Sequence, residues 1–263
     1  MKAELGLTLR TADVFEAVSQ RWQVAAEPDP LVLAALAAAV VLVAAVPAVW
    51  RVARQASTII HEMGHVFAAW LVGRRVSGIR LHSDTSGVTV SRGKGQGPGL
   101  LLTFLAGYPA PGLLAVLLVW LASAGHAGAA LTVFQVVLVL ALLLSRNLVG
   151  IFSCLLAVAA AGAVWWWNQP DVVVYTVVGL GAFYAAAGLR GSLDVARVHI
   201  RAWRGDPRAR AAVTGTDASQ AARAWRGLPL PAPAWLLVFL GTSAACAAAV
   251  AWMIWPQDLA LPL

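Results

Sequence analysis

Charge is scarce in this sequence. Only 12% of its 263 residues are charged, 60% are hydrophobic, and the mean hydropathy is +0.76. A soluble domain so composed would expose large apolar patches, so a water-soluble protein is excluded and a polytopic membrane protein expected. Cysteine is scarcer still. Cys154 and Cys246 are the only two, both inside apolar runs, which excludes a disulfide framework or a cysteine-ligated metal site. Lysine is nearly absent, since 17 of the 19 basic residues are arginine. The net charge is +7 and the arginines cluster in loops, a pattern of membrane orientation rather than nucleic-acid binding. Glutamate is missing altogether after Glu62, and Glu62 is the only acid between Asp29 and Asp84.

The stretch STIIHEMGHVFAAWLVG, residues 57–73, is apolar enough for a membrane yet carries His61, Glu62 and His65. On a helix, positions i and i+4 share a face, so both imidazoles project the same way. Two neutral imidazoles at that spacing can chelate Zn2+, and the adjacent glutamate can act as general base toward the bound water. A competing reading makes the three a polar interhelical contact. The cost of burying three ionisable groups in an apolar segment favours the metal site. Ser57 or Thr58 is expected to cap this helix, and Gly64 to let a neighbouring helix approach the histidines.

Residues 1–30 read as a short tail without a cleavable signal sequence. The run 31–50 is long enough to cross a bilayer, with Pro47 bending its end. Residues 74–98 turn polar, glycine-rich and basic. Alternation at Val88–Ser91 and the turn residues Asp84–Gly87 predict a β-hairpin, roughly Val76 to Ser91. Such a hairpin either offers an edge to an extended substrate or plugs a cavity. Apolar spans follow at about 99–123, 127–145, 148–167 and 172–189, and at 233–255. The first is interrupted by Gly107, Tyr108, Pro109, Pro111 and Gly112, a broken-helix composition. Residues 190–232 form an arginine-rich segment expected on the cytoplasmic side, and 256–263 a C-terminal tail. The expected fold is an all-α polytopic membrane protein with about six to seven transmembrane or membrane-embedded helices and one short β-hairpin. Residues 31–255 are expected to make one membrane-embedded domain of a multi-pass cell-membrane protein, with the lipid bilayer as its surroundings.

Two orientations satisfy the charge rule almost equally. If all seven apolar segments cross with the N-terminus inside, 17 of 19 basic residues are cytoplasmic. If the histidine helix dips in and returns, the N-terminus is outside and 16 of 19 are inside.

The spacing leaves the third metal ligand open. Asp84 belongs to a turn, Asp171 follows Pro170, Asp206 precedes Pro207 among arginines, and Asp258 is close to the C-terminus. Asp194 has Arg190 and Arg197 nearby, the pattern of an ion-paired helix surface. Asp217 has small neighbours and no basic residue before Arg223, but Thr216 or Asp217 could equally cap a helix.

Three stretches together resemble the site-2 protease family of intramembrane zinc metallopeptidases: His61 to His65, Ala106-Gly107-Tyr108, and Thr216-Asp217-Ala218. They are most similar to a bacterial branch that pairs HExxH and a short hairpin with an Ala-Gly-Tyr helix and a terminal Ser-Asp-Ala segment. The chain lacks the Asn-Pro-Asp-Gly of better-known members, and Val195 follows Leu193-Asp194 where they have glycine. The resemblance implies a zinc metalloendopeptidase cutting a membrane protein within or beside the bilayer. It implies Glu62 as the base, and His61, His65 and Asp217 as the metal ligands. A metal-binding membrane protein without catalysis, transporter-like or a degenerate peptidase scaffold, is the alternative.

Overall fold

A proline sets the first architectural feature. The computed structural model describes residue 16 and residues 19–255, so most of the 1–30 tail and all of the 256–263 tail, with Asp258, lie outside it. Helix α1 (Pro30–Ala45) opens on the carboxylate of Asp29, which accepts from the Leu31 amide at 2.7 Å. Val46, the residue before Pro47, is extended, as proline demands of its predecessor. Helix α2 (Pro47–Leu71) then leaves at 102° to α1. The expected bend at Pro47 is therefore a break, and α1 with α2 forms one broken or re-entrant span. Because α2 runs unbroken through Ser57 and Thr58, neither caps it. Thr58 instead donates to the carbonyls of Arg54 and Thr85, at 3.1 and 2.9 Å.

Strands β1 (Arg75–Leu81) and β2 (Gly87–Arg92) make the hairpin, antiparallel, with Val76 opposite Ser91 and Leu81 opposite Gly87. Helices α3 (Pro98–Leu105) and α4 (Pro109–Ser123) meet at 66° across Ala106-Gly107-Tyr108, the expected broken span. Then come α5 (Ala127–Leu144), α6 (Leu148–Trp167) and α7 (Pro170–Trp203). Helix α7 continues far past the apolar stretch 172–189, so the arginine-rich segment begins inside a helix rather than in a loop. Short helices α8 (Pro207–Val213) and α9 (Asp217–Ala224) lead to α10 (Ala232–Ile254).

Helices α5, α6, α7 and α10 are each long and apolar enough to cross a membrane, and the two bent pairs bring the number to as many as six. The chain is a multi-pass, all-α membrane protein with one short hairpin. Its main core is built by Leu118 and Val119 of α4, Leu131 and Leu138 of α5, and Val173, Val177 and Tyr184 of α7. A smaller cluster seats α9: Ala218, Ala221 and Ala224 pack on Leu101 of α3 and Trp235, Leu236 and Phe239 of α10.

The turns sort onto two faces. On one, the hairpin docks on the α5–α6 turn, with the Arg146 amide donating to Ile79 and the Asn147 side chain exchanging two hydrogen bonds with Leu81. The C-terminal end of α7, α8 and α9 share that face, because α6 and α7 run antiparallel between the same two faces. On the other, the Asp29 amide donates to Tyr175 near the start of α7, Ala127 donates to Val24, and Arg21 reaches the Trp165 carbonyl. Helix α1 thus begins on the face opposite the hairpin, and α2 delivers the chain to the hairpin face. Cysteines introduced singly by Ser83→Cys and Thr214→Cys should react with a membrane-impermeant maleimide from one side of sealed vesicles, and by Gln169→Cys from the other. The native cysteines are buried and should stay silent. Labelling of all three from the same side would overturn this arrangement.

Candidate metal centre

Helix α2 presents His61 and His65 on one face, one turn apart, as the i, i+4 spacing requires. The break between α3 and α4 turns this pair into a site. An α-helix leaves its last carbonyls without intrahelical donors, and α3 ends at Leu105, so the carbonyl of Thr103 is one of them. It accepts a 2.7 Å hydrogen bond from His65 Nδ1. A carbonyl cannot donate, so Nδ1 carries the proton and Nε2 keeps its lone pair for a metal. At the break, a Cβ on Gly107 would lie 2.5 to 2.7 Å from ring atoms of His65 and His61. Only glycine fits there. Gly64 is equally constrained from the α2 side, where a Cβ would collide with the carbonyl oxygen of Ala106 and the Cβ of Ala110. The close helix approach expected at Gly64 is present, and its partner is the break itself. Tyr108 then covers His61, ring centroids 4.7 Å apart, and stacks on Phe239.

Asp217 arrives from the far end of the chain. It is the first residue of α9, but it does not cap that helix. Thr216 does, accepting from the Ser219 amide. The Thr216 hydroxyl donates its one proton to Val213, so the 2.9 Å contact with His199 is donated by the imidazole Nε2–H. With the cap filled by its neighbour, the Asp217 carboxylate is released toward α2. Oδ2 lies 3.1 Å from His61 Nε2 and 3.3 Å from His65 Nε2, and the two nitrogens are 3.2 Å apart. Burial alone would raise the Asp217 carboxyl, but the His65 and His61 imidazoles, when protonated, hold it well below the usual carboxylate range, which favours the ionised form that a ligand requires.

These separations fit a metal. With bonds of about 2.0–2.1 Å, the ligand atoms of a tetrahedral zinc are about 3.3 Å apart. His61, His65 and Asp217 could hold such an ion on three corners. His61 and Asp217, together with Glu62, line a cavity of about 510 Å³, which would leave room for a further, non-protein ligand. Three protein ligands with an open position is the pattern of a catalytic rather than a structural zinc site.

Glu62 is 3% exposed, lines the same cavity as His61 and Asp217, and is held by the hairpin. Thr89 of β2 donates to its Oε2 at 2.6 Å, and a Cβ on Gly87 would come within 2.5 Å of its Oε1. The hairpin therefore serves as the wall that positions Glu62. Sequence reasoning missed this contact, as it missed the Thr103 carbonyl. The only available hint was the Thr89 hydroxyl on an alternating strand.

The other carboxylates are otherwise engaged. Asp194 lines the same cavity but binds Arg197 at 2.7 Å. Its other expected partner, Arg190, lies instead over the ring of Trp50 at 4.7 Å. Asp206 caps α8, and Asp84 accepts from Ser86 within the hairpin turn.

Comparison with known proteins carries the fold and this geometry to a family. The model of the peptidase M50B-like family matches residues 32–250 of the 263. The comparisons with curated proteins and with solved structures gave no match. Since the matched stretch runs from the first turn of α1 into α10, spanning both bent helix pairs, the hairpin and Asp217, the chain belongs to the peptidase M50B-like family, membrane metallopeptidases of the site-2 protease type that are generally zinc-dependent.

Proposed function

We propose that this protein is an intramembrane zinc metalloprotease of the cell membrane, hydrolysing a peptide bond of a membrane-protein substrate in or next to the bilayer. The observation that carries the reading is the convergence of His61, His65 and Asp217 within 3.3 Å of one another, beside a buried glutamate and on a cavity. His61 and His65 through Nε2, and Asp217 through Oδ2, are the ligands. A zinc ion held by these three would lower the pKa of a bound water towards about 7 and polarise the scissile carbonyl.

Glu62 is the base. Thr89 occupies Oε2, so Oε1 is the oxygen left to take the water's proton and hand it to the leaving amine. A metal carrier without catalysis has no use for a buried carboxylate held beside its ligands by a dedicated hydroxyl, which favours the peptidase over the transporter-like alternative. The substrate must unwind, because a helix hides its carbonyls in its own hydrogen bonds. β2 has one edge free of ladder partners in the two-stranded sheet, and an extended segment pairing there would lie alongside Glu62.

The faces supply the orientation. Of 19 basic residues, only Lys2, Arg10 and Arg21 precede α1, and the other 16 belong to α2, the hairpin, or the turns and helices of the hairpin face. The charge rule makes that face the cytoplasmic one in this reading, which favours the re-entrant version of the two expected orientations.

The test uses protein purified in detergent, scored for bound zinc and for cleavage of single-span substrates. Glu62→Gln should lower turnover by about 10²–10⁴-fold, the usual contribution of a general base, with zinc still bound. Asp217→Ala should lose zinc and activity together, and Asp194→Ala should keep both. Cleavage by Glu62→Gln at near wild-type rates would sink the mechanism, and the reverse pattern for the two aspartates would transfer the ligand role to Asp194.

A further inference from the structure

The cavity continues well beyond the metal ligands, along α2 toward its N-terminal end, and its character changes there. The three acids that line it are all engaged: Glu62 with Thr89, Asp194 with Arg197, and Asp217 with the two imidazoles. The cations at the far end make no salt bridge among the described residues, although Asp84 on the hairpin turn feels the charge of Arg54. Arg54 lines the cavity, and Arg190 stacks on the neighbouring wall residue Trp50 at 4.7 Å. Asp84, on the nearby hairpin turn, spends its Oδ1 on the amide and hydroxyl of Ser86.

Two buried donors in the same cluster also lack acceptors. Trp50 is 6% exposed, and neither its indole N–H nor the Nε–H of Arg190 finds an acceptor among the described residues. A buried donor left unmade costs about 1–3 kcal/mol, so two such donors stacked together beside a cavity mark a place where an acceptor is missing. A carboxylate is the acceptor that suits such donors best, and it neutralises the guanidinium charge beside them.

The position along α2 sets the distance. Trp50 and Arg54 precede His61 by eleven and seven residues, which at about 1.5 Å per residue is roughly 16 and 10 Å along the helix. An extended peptide advances about 3.3 Å per residue, so it covers that distance in about three to five residues. We propose that Trp50, Arg54 and Arg190 form a recognition subsite for an acidic side chain of the substrate, about three to five residues from the bond cleaved at the metal centre. The subsite rests on the peptidase reading for its register, but its charge preference does not need turnover.

The experiment therefore reads binding and cleavage separately. Single-span peptides carry Glu, Gln or Lys at each of a series of positions on either side of the mapped cleavage site. Where no cleavage occurs, the scan covers the whole span. Binding is measured on the zinc-loaded Glu62→Gln protein in a neutral detergent, and cleavage on the wild type. Glu at one position should bind about tenfold more tightly than Gln, the scale of a charge-assisted hydrogen bond. Arg54→Glu should invert the order in favour of Lys. Trp50→Phe, which keeps the ring and removes the N–H, should reduce the preference without loss of zinc.

Cleavage with no charge preference at any position would overturn the subsite and leave the peptidase standing. Acid-dependent binding without wild-type cleavage would support the subsite and sink the peptidase. Failure of every peptide to bind or be cleaved would overturn both. Arg54-dependent binding of phosphatidylglycerol nanodiscs, with peptides indifferent to charge, would make the cluster a lipid-headgroup site and overturn the assignment.

Discussion

The hydrogen bond between His65 and the carbonyl of Thr103 is the contact on which the candidate metal centre depends. In a bilayer an unsatisfied backbone carbonyl costs several kcal/mol, so a helix can break at membrane depth only where something else occupies the groups set free. Here the break at Ala106-Gly107-Tyr108 releases a carbonyl, and the imidazole of His65 occupies it. One contact thus removes the penalty of the break, fixes the tautomer of His65 and aims Nε2 at the partner ligands. The two glycines follow from the same constraint. Gly64 lets the broken chain reach α2, and Gly107 lets it pass beneath both imidazoles.

The other two parts of the site are held from elements distant in sequence, each by a local device. α9 is pinned by an alanine face against α3 and α10, and its cap is filled by Thr216, which leaves Asp217 free to face the histidines. β2 offers a single hydroxyl that orients Glu62. The candidate ligands, Glu62 and the cavity thus come from four regions of the chain, brought together at the face that carries most of the arginines. Arg54 lines the far end of the same cavity, with Arg190 stacked on its wall residue Trp50.

The legible parts of this arrangement were those encoded locally. The i, i+4 histidines, the apolar runs and the glycine–proline break each follow from a short stretch read against one periodicity. Asp217 was half legible. Its small neighbours pointed to burial, and the structure shows why, with Ala218, Ala221 and Ala224 packed in a core cluster. The choice over Asp194 still needed a family resemblance, because a pattern i, i+3 to arginine says only that a pair can form. The rest was illegible for a physical reason. Which residue accepts from His65, which hydroxyl meets Glu62, and whether Arg190 pairs with Asp194 or stacks on Trp50 are decided by tertiary approach. The 102° turn at Val46–Pro47 was underestimated similarly: proline predicts a break, but only packing sets its angle.

X-ray absorption at the zinc K-edge of the purified, zinc-loaded protein tests the centre most directly. The account predicts a first shell of nitrogen and oxygen only, at about 2.0–2.2 Å, with the outer-shell scattering of two imidazoles. A sulfur shell at about 2.3 Å, or the absence of imidazole scattering, would contradict it.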